Sequence, residues 1–175
     1  MMATNKNPAK GGVRHSIKSR LLTDIMLMVF RLNARLLEQG DQLVAPLQLS
    51  SARWQVLGAV AIAGQPLSAP QIADAMGVTR QGVQKQLNRM LDEGLFEIRP
   101  NPRHERSPLY ALTETGLSAY GNAMRLHQQW VDALVDGIAR KELEAVLPAL
   151  QQIYARLEQM PVSALSVISH SQTIS

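Results

Sequence analysis

Ser68-Ala69-Pro70-Gln71-Ile72-Ala73-Asp74-Ala75-Met76-Gly77-Val78-Thr79 runs directly into Arg80-Gln81-Gly82-Val83-Gln84-Lys85-Gln86-Leu87-Asn88-Arg89-Met90-Leu91. Ser68 is a good N-cap, because its hydroxyl can accept from an unpartnered first-turn N–H. Gln71, three residues on, completes a capping-box pattern, and Pro70 costs little where amides lack partners anyway. The helix buries Ile72, Ala73 and Met76 and stops at Gly77, which can take the left-handed conformation past the helix end. Thr79 caps a second helix two residues later. A turn this short forces two helices to cross steeply, which is the helix-turn-helix arrangement.

In the second helix, Val83, Leu87, Met90 and Leu91 share one stripe at helical spacing. Arg80, Gln81, Gln84, Lys85, Asn88 and Arg89 occupy the other faces, without an acid among them. Cations suit phosphate oxygens, and carboxamides can both donate to and accept from base edges in a major groove. Leu95–Arg99 and Leu109–Leu112 have strand composition, and the segment 100–108 between them carries three prolines, so the pair predicts a β-hairpin with an irregular tip. Arg103, His104 and Arg106 sit at that tip. Arginines on a hairpin beside a recognition helix can reach a neighbouring minor groove.

Leu49-Ser50, Leu67-Ser68, Ile72-Ala73, Gly77-Val78-Thr79, Asp92-Glu93-Gly94-Leu95, Arg99-Pro100-Asn101-Pro102, Arg106 and Leu112-Thr113-Glu114-Thr115-Gly116 together resemble the MarR family of winged-helix transcriptional regulators. The resemblance runs from about residue 21 to residue 160. One departure stands at His104, where such proteins usually carry an acid that braces the wing arginine. Arg103 can therefore share the role of Arg106.

The remainder of the chain fits that frame. Its 175 residues suffice for one domain with a substantial core, and a composition 46% apolar and 18% charged is that of a globular chain. Only 4% of residues are aromatic, too few for a protein that binds single strands by stacking. The net charge of +4 matters less than its distribution. Residues 50–112 hold seven Lys/Arg against five acids, whereas residues 113–160 hold four against six. The absence of cysteine excludes disulfides, cysteine zinc sites and thiol redox sensing. The segment 21–30 contains Asp24 and is too short to span a bilayer, so a cytoplasmic protein without membrane contact is expected.

Ser16 to Gln39 carries Ile17, Leu21, Ile25, Met28, Leu32 and Leu36 on one helical stripe, widened by Leu22, Met26, Val29 and Leu37. Gly40 and Pro46 bracket an expected loop. Ser50 caps a helix through Ala63 with Trp54, Leu57, Val60 and Ala61 inward. Beyond the hairpin, Thr113 caps a helix with Leu117, Tyr120, Met124, His127, Val131, Leu134 and Ile138 at alternating steps of three and four, the spacing of a helix–helix seam. Leu143, Leu147, Leu150, Tyr154 and Leu157 repeat it, with Pro148 predicted to bend the helix and Pro161 to end it.

The expected architecture is mainly α with a small β-hairpin wing, a winged helix-turn-helix flanked by dimerisation helices. Residues 1–15 form a basic tail, 16–48 an N-terminal dimerisation helix and loop, and 49–112 the DNA-binding domain. Residues 113–161 form C-terminal dimerisation helices and 162–175 a second tail. Excess apolar surface on the terminal helices points to a two-fold homodimer. Such a dimer presents its recognition helices to major grooves about 10 base pairs apart, on a near-palindromic duplex.

Base edges are assigned to Thr79, Arg80, Gln81 and Gln84. Phosphates are assigned to Lys85, Arg89 and Arg99, and the minor groove to Arg103 and Arg106. The resemblance further implies an aromatic or phenolic effector bound between dimer helices and winged helix. Arg53, Trp54, Tyr120, His127 and Trp130 are the candidates for contacting it, with Arg53 meeting a carboxylate, although core packing explains each of them singly. No cofactor is implied. His15, His104, His127 and His170 are scattered without metal-ligand spacing, and no phosphate loop or nucleophile elbow occurs, so neither a catalytic nor a metal site is expected. Asp92-Glu93 reads as a solvated helix end. The expectation is a transcriptional regulator, a repressor released by its effector. A winged helix used for protein–protein docking and a ligand-binding protein without DNA function are the rival classes.

Overall fold

The computed structural model describes residues 16–160. The two tails, with His15, His170 and Pro161, lie outside the described residues. The order of elements is α1 (Ile17–Val44), a 3₁₀ turn (Ala45–Leu47), α2 (Ser51–Ala63), β1 (Leu67–Ser68), α3 (Ala69–Met76), α4 (Arg80–Asp92), β2 (Phe96–Arg99), β3 (Leu109–Leu112), α5 (Glu114–Leu134) and α6 (Arg140–Gln159). The chain divides into two compact units, one ending at Gln128 and the other beginning at Gln129.

Within the first unit the core gathers where α2, α3 and α4 meet. Leu57, Ile72, Leu87, Met90, Val44 and Val83 are fully buried. Each such side chain contributes roughly 1.5–3 kcal/mol through removal from water. Helix α2 is buried without a break from Val56 to Val60, so it is the central strut rather than an amphipathic surface helix. Its N-cap is Ser50, whose hydroxyl accepts from the Arg53 N–H, and Gly64 ends it in the left-handed region at φ 64°.

Three local expectations are corrected. Gly40 belongs to α1 instead of opening a loop, and the helix runs on to Val44. The reason is contact: a Cβ at Gly40 would collide with the Ser51 hydroxyl, so glycine lets α1 and α2 approach. At α3 the capping box is half formed. Gln71 Oε1 accepts from the Ser68 N–H at 2.9 Å, but the Ser68 hydroxyl donates to the same oxygen at 2.8 Å and caps no backbone amide. Helix α5 ends at Leu134, four residues short of Ile138, because Gly137 adopts φ 79° and turns the chain out of the helix.

The sheet has three strands in the order β1-β3-β2, not two. Leu67 pairs with Tyr110 and Ser68 with Leu109, while β2 runs antiparallel to β3 from Phe96↔Leu112 to Arg99↔Leu109. A two-residue strand is too short for its composition to reveal, and only the approach of β3 makes it a strand. Thr113 joins the sheet to α5. Its hydroxyl donates to Gly94 O at 2.7 Å and accepts from Gly116 N at 3.1 Å.

In the second unit α6 buries no residue and contains Pro148. Its Leu143, Leu147, Leu150, Tyr154 and Leu157 all stand exposed. Most of α1 is likewise uncovered in the single chain, with only Gly40 and Val44 buried.

Candidate nucleic-acid interface

Helix α4 is positioned from its buried side. Val83, Leu87 and Met90 lock it against α2 and α3, and Thr79 caps it by accepting from Gly82 N at 3.1 Å. That leaves Arg80, Gln81, Lys85 and Arg89 exposed on one continuous face, with Gln84 half-buried at its edge. Arg80 follows the cap directly, at the helix end where unpartnered N–H groups and the helix dipole already favour anions. The structure therefore brings the predicted α4 residues together on one outward surface.

The wing places Arg99 on β2 and Arg103 and Arg106 on the exposed tip. The tip is not slack. Asn101 Nδ2 donates to Ser107 O at 2.7 Å, its Oδ1 accepts from Arg103 N at 3.1 Å, and His104 N donates to Asn101 O at 3.2 Å. Asn101 thus folds the loop in the manner expected of an Asx turn before proline. Arg99 is held by Glu97 through two hydrogen bonds of 2.7 and 2.9 Å, so its charge is partly neutralised in the free protein. No ion pair holds Arg103 or Arg106 among the described residues.

Beside α4 lies an open groove of about 660 Å³, bordered by Gln48, Arg53, Lys85, Asn88, Arg89 and Asp92. Arg53 is only 6% exposed. Its guanidinium donates to Gln48 O at 2.9 Å and pairs with Glu93, while its Nε is buried without a partner. Burial holds its pKa below the usual guanidinium value, and the nearby Arg89 charge acts in the same direction. It nevertheless stays charged at neutral pH, because a guanidinium starts from so high a value. Glu93 accepts from Arg89 as well, at 3.1 Å. Glu93 is exposed, as expected of a solvated helix end, and it also links the core strut α2 to the exposed end of α4.

The candidate effector residues divide. Trp54 meets His127 edge-on, with ring centroids 5.2 Å apart, and Tyr120 lies against α2 at Gly58. Arg53 belongs to the Glu93 pair instead, so the carboxylate it meets is one of the chain's own. Trp130 lies in the other unit. One contributor went unread in the sequence, and Asn88, already placed on the outer face, was given no contact of its own. Tyr110, an ordinary strand residue by composition, accepts at its hydroxyl from Gln84 Nε2 at 3.0 Å. Asn88, on the outer face of α4, accepts from the same nitrogen at 2.8 Å. Only the packing of β3 beside α4 could have shown the first.

A buried helical tripod, a short-turned helix pair and a three-stranded wing define a winged helix-turn-helix protein. Residues 47–107 match the model of the MarR family. An uncharacterized protein of Mycobacterium tuberculosis is 43% identical over 98 residues, which are 56% of this chain and 64% of that protein. The match thus spans less than two thirds of the relative's length. Among solved structures, the transcriptional regulator BldR from Sulfolobus solfataricus shares the fold at a TM-score of 0.71 and 17% identity, over 82% of this chain and 99% of that one. A mutant MarR from E. coli, solved in complex with operator DNA, aligns at a TM-score of 0.67 and 18% identity, over 79% and 99%. Among the described residues no helix is long and apolar enough to cross a membrane, and no cluster of His, Cys, Asp or Glu could hold a metal ion.

Proposed function

We propose that this chain is a homodimeric, sequence-specific double-stranded-DNA-binding transcriptional regulator, a repressor released by a small aromatic effector. The observation that carries the reading is the outward face of α4, free of acids from Arg80 to Arg89, beside a wing tip with two arginines that no ion pair holds among the described residues. Lys85, Arg89 and Arg99 hold phosphates, Thr79, Arg80, Gln81 and Gln84 read base edges, and Arg103 and Arg106 enter the minor groove. Thr79 keeps a hydroxyl proton to donate while its oxygen caps the helix. The operator complex of a protein sharing the fold supports this assignment. The Trp54–His127 contact, with Tyr120 on the same helix pair, supports an effector seat where α2 and α5 pack. Release then requires that the effector favour one arrangement of α4 over another.

The test is fluorescence anisotropy with duplex DNA from upstream of the chain's own gene, against a scrambled duplex, at two salt concentrations. Preferential binding that weakens steeply with salt is expected, because phosphate neutralisation releases counterions. Equal, salt-insensitive affinity for both duplexes, repeated with fragments selected from the whole genome, would overturn the reading.

A further inference from the structure

The two hydrogen bonds on Gln84 decide what it can offer a base. A carboxamide has two N–H donors and one carbonyl acceptor. Gln84 Nε2 gives one proton to Asn88 Oδ1 at 2.8 Å and the other to Tyr110 Oη at 3.0 Å. Both donors are engaged within the protein, and Oε1 alone remains. Tyr110 is not free to yield. It is 4% exposed and sits in the middle strand, paired to Leu67 on one side and Ile98 on the other. Its hydroxyl is thereby fixed by the sheet, and it fixes the amide in turn.

We infer that Tyr110, though it touches no DNA, is a specificity-determining positioning residue that restricts Gln84 to a lone acceptor. The inference rests on the DNA-binding reading above. In the major groove an acceptor matches the exocyclic amine of adenine or of cytosine. The bidentate glutamine–adenine pair, which needs one N–H and one C=O, is closed to the wild-type chain. Asn88, with Oδ1 occupied, offers only its N–H donors. The pair therefore presents an acceptor and a donor one helical turn apart, in a fixed pattern.

The experiment selects bound duplexes from a random library with the full-length chain and compares base-preference profiles. The wild type accepts adenine and cytosine comparably at one position. Tyr110→Phe keeps the ring, releases one Gln84 N–H, and shifts that position toward adenine on the order of tenfold, the low range for a bidentate pair. Affinity for scrambled duplex and its salt slope stay unchanged, which a general loss of structure would not allow. In a Gln84→Ala background the Tyr110→Phe change is silent, because nothing is left to release.

A wild-type profile with an unchanged Tyr110→Phe profile overturns the inference and leaves the DNA reading intact. No enrichment by the wild type removes both. Should Tyr110→Phe fail to fold, the wild-type Gln84 side-chain amide is measured by NMR, where its protons exchange more slowly than those of Gln81. Equally fast exchange at the two residues overturns the inference.

Discussion

Glu93 shows how much one side chain can hold. It touches a buried guanidinium on one side and an exposed one on the other. Removing its charge leaves Arg53 buried without a counter-ion, whereas removing Arg53 leaves a carboxylate with Arg89 still in place. Breaking a fully buried pair costs about 3–5 kcal/mol. Because the Glu93 side chain is 35% exposed, roughly 2 kcal/mol is expected for Glu93→Gln. Arg53→Met, which keeps the packed stem and removes the unsatisfied Nε, costs less. Urea denaturation of the two variants gives the order, and a larger loss in Arg53→Met would contradict this account. At the same scale, Arg106→Ala weakens binding to every duplex alike and lowers the salt slope by about 1, since a lost phosphate or groove charge carries little sequence information. Titrations at several salt concentrations measure both, and unchanged affinity would remove Arg106 from the interface.

Elements were legible where the signal is local. Thr79 fixes the start of α4 through its own hydroxyl and Gly77 the end of α3 through its left-handed backbone, and the residue run Leu109–Leu112 coincides with β3. What escaped depends on neighbours. Gly40 looks like a breaker until Ser51 is seen across from it. β1 exists only because Tyr110 and Leu109 pair with it, and the Arg53–Glu93 and Gln84–Tyr110 contacts join residues far apart in sequence. The glycines make this testable. At Gly116 an added Cβ would strike the carbonyl of Leu95, a backbone atom at the start of the wing that cannot step aside. At Gly40 the obstacle is a serine hydroxyl. Both positions are helical, so alanine regains about 1 kcal/mol of propensity. Overpacking costs about 1–3 kcal/mol, with the rigid obstacle at the high end. Gly116→Ala is therefore expected to destabilise by about 2 kcal/mol, and Gly40→Ala to fall near neutral. Thermal unfolding of the two compares them directly, and a larger drop in Gly40→Ala would reverse the assignment of which contact is rigid.

At the scale of the whole molecule, the uncovered apolar surface is what the proposed second copy would cover. Ile17 and Phe30 are 72% and 69% exposed, and the apolar residues of α1 line two adjacent stripes. The α6 seam Leu143, Leu147, Leu150, Tyr154 and Leu157 is exposed along its whole length. A monomer rarely leaves more than a few hundred Å² of contiguous apolar surface to water. A heptad stripe in particular is shaped to receive a second helix. Pairing of two copies about a two-fold axis covers such stripes, and a stable interface of about 1,200–2,000 Å² lies within reach of helices this long. The chain is expected to sediment at twice its 19.3 kDa, with a melting temperature that rises with concentration. Paired substitutions Leu21→Glu with Met28→Glu on α1, and separately Leu147→Glu with Tyr154→Glu on α6, should each yield a species of single-chain mass. In both, binding to a near-palindromic duplex falls to that of one half-site, while the helix-turn-helix core stays folded by near-ultraviolet dichroism. A wild type that sediments at single-chain mass, or paired variants that remain dimeric, would assign these faces to something other than a second copy.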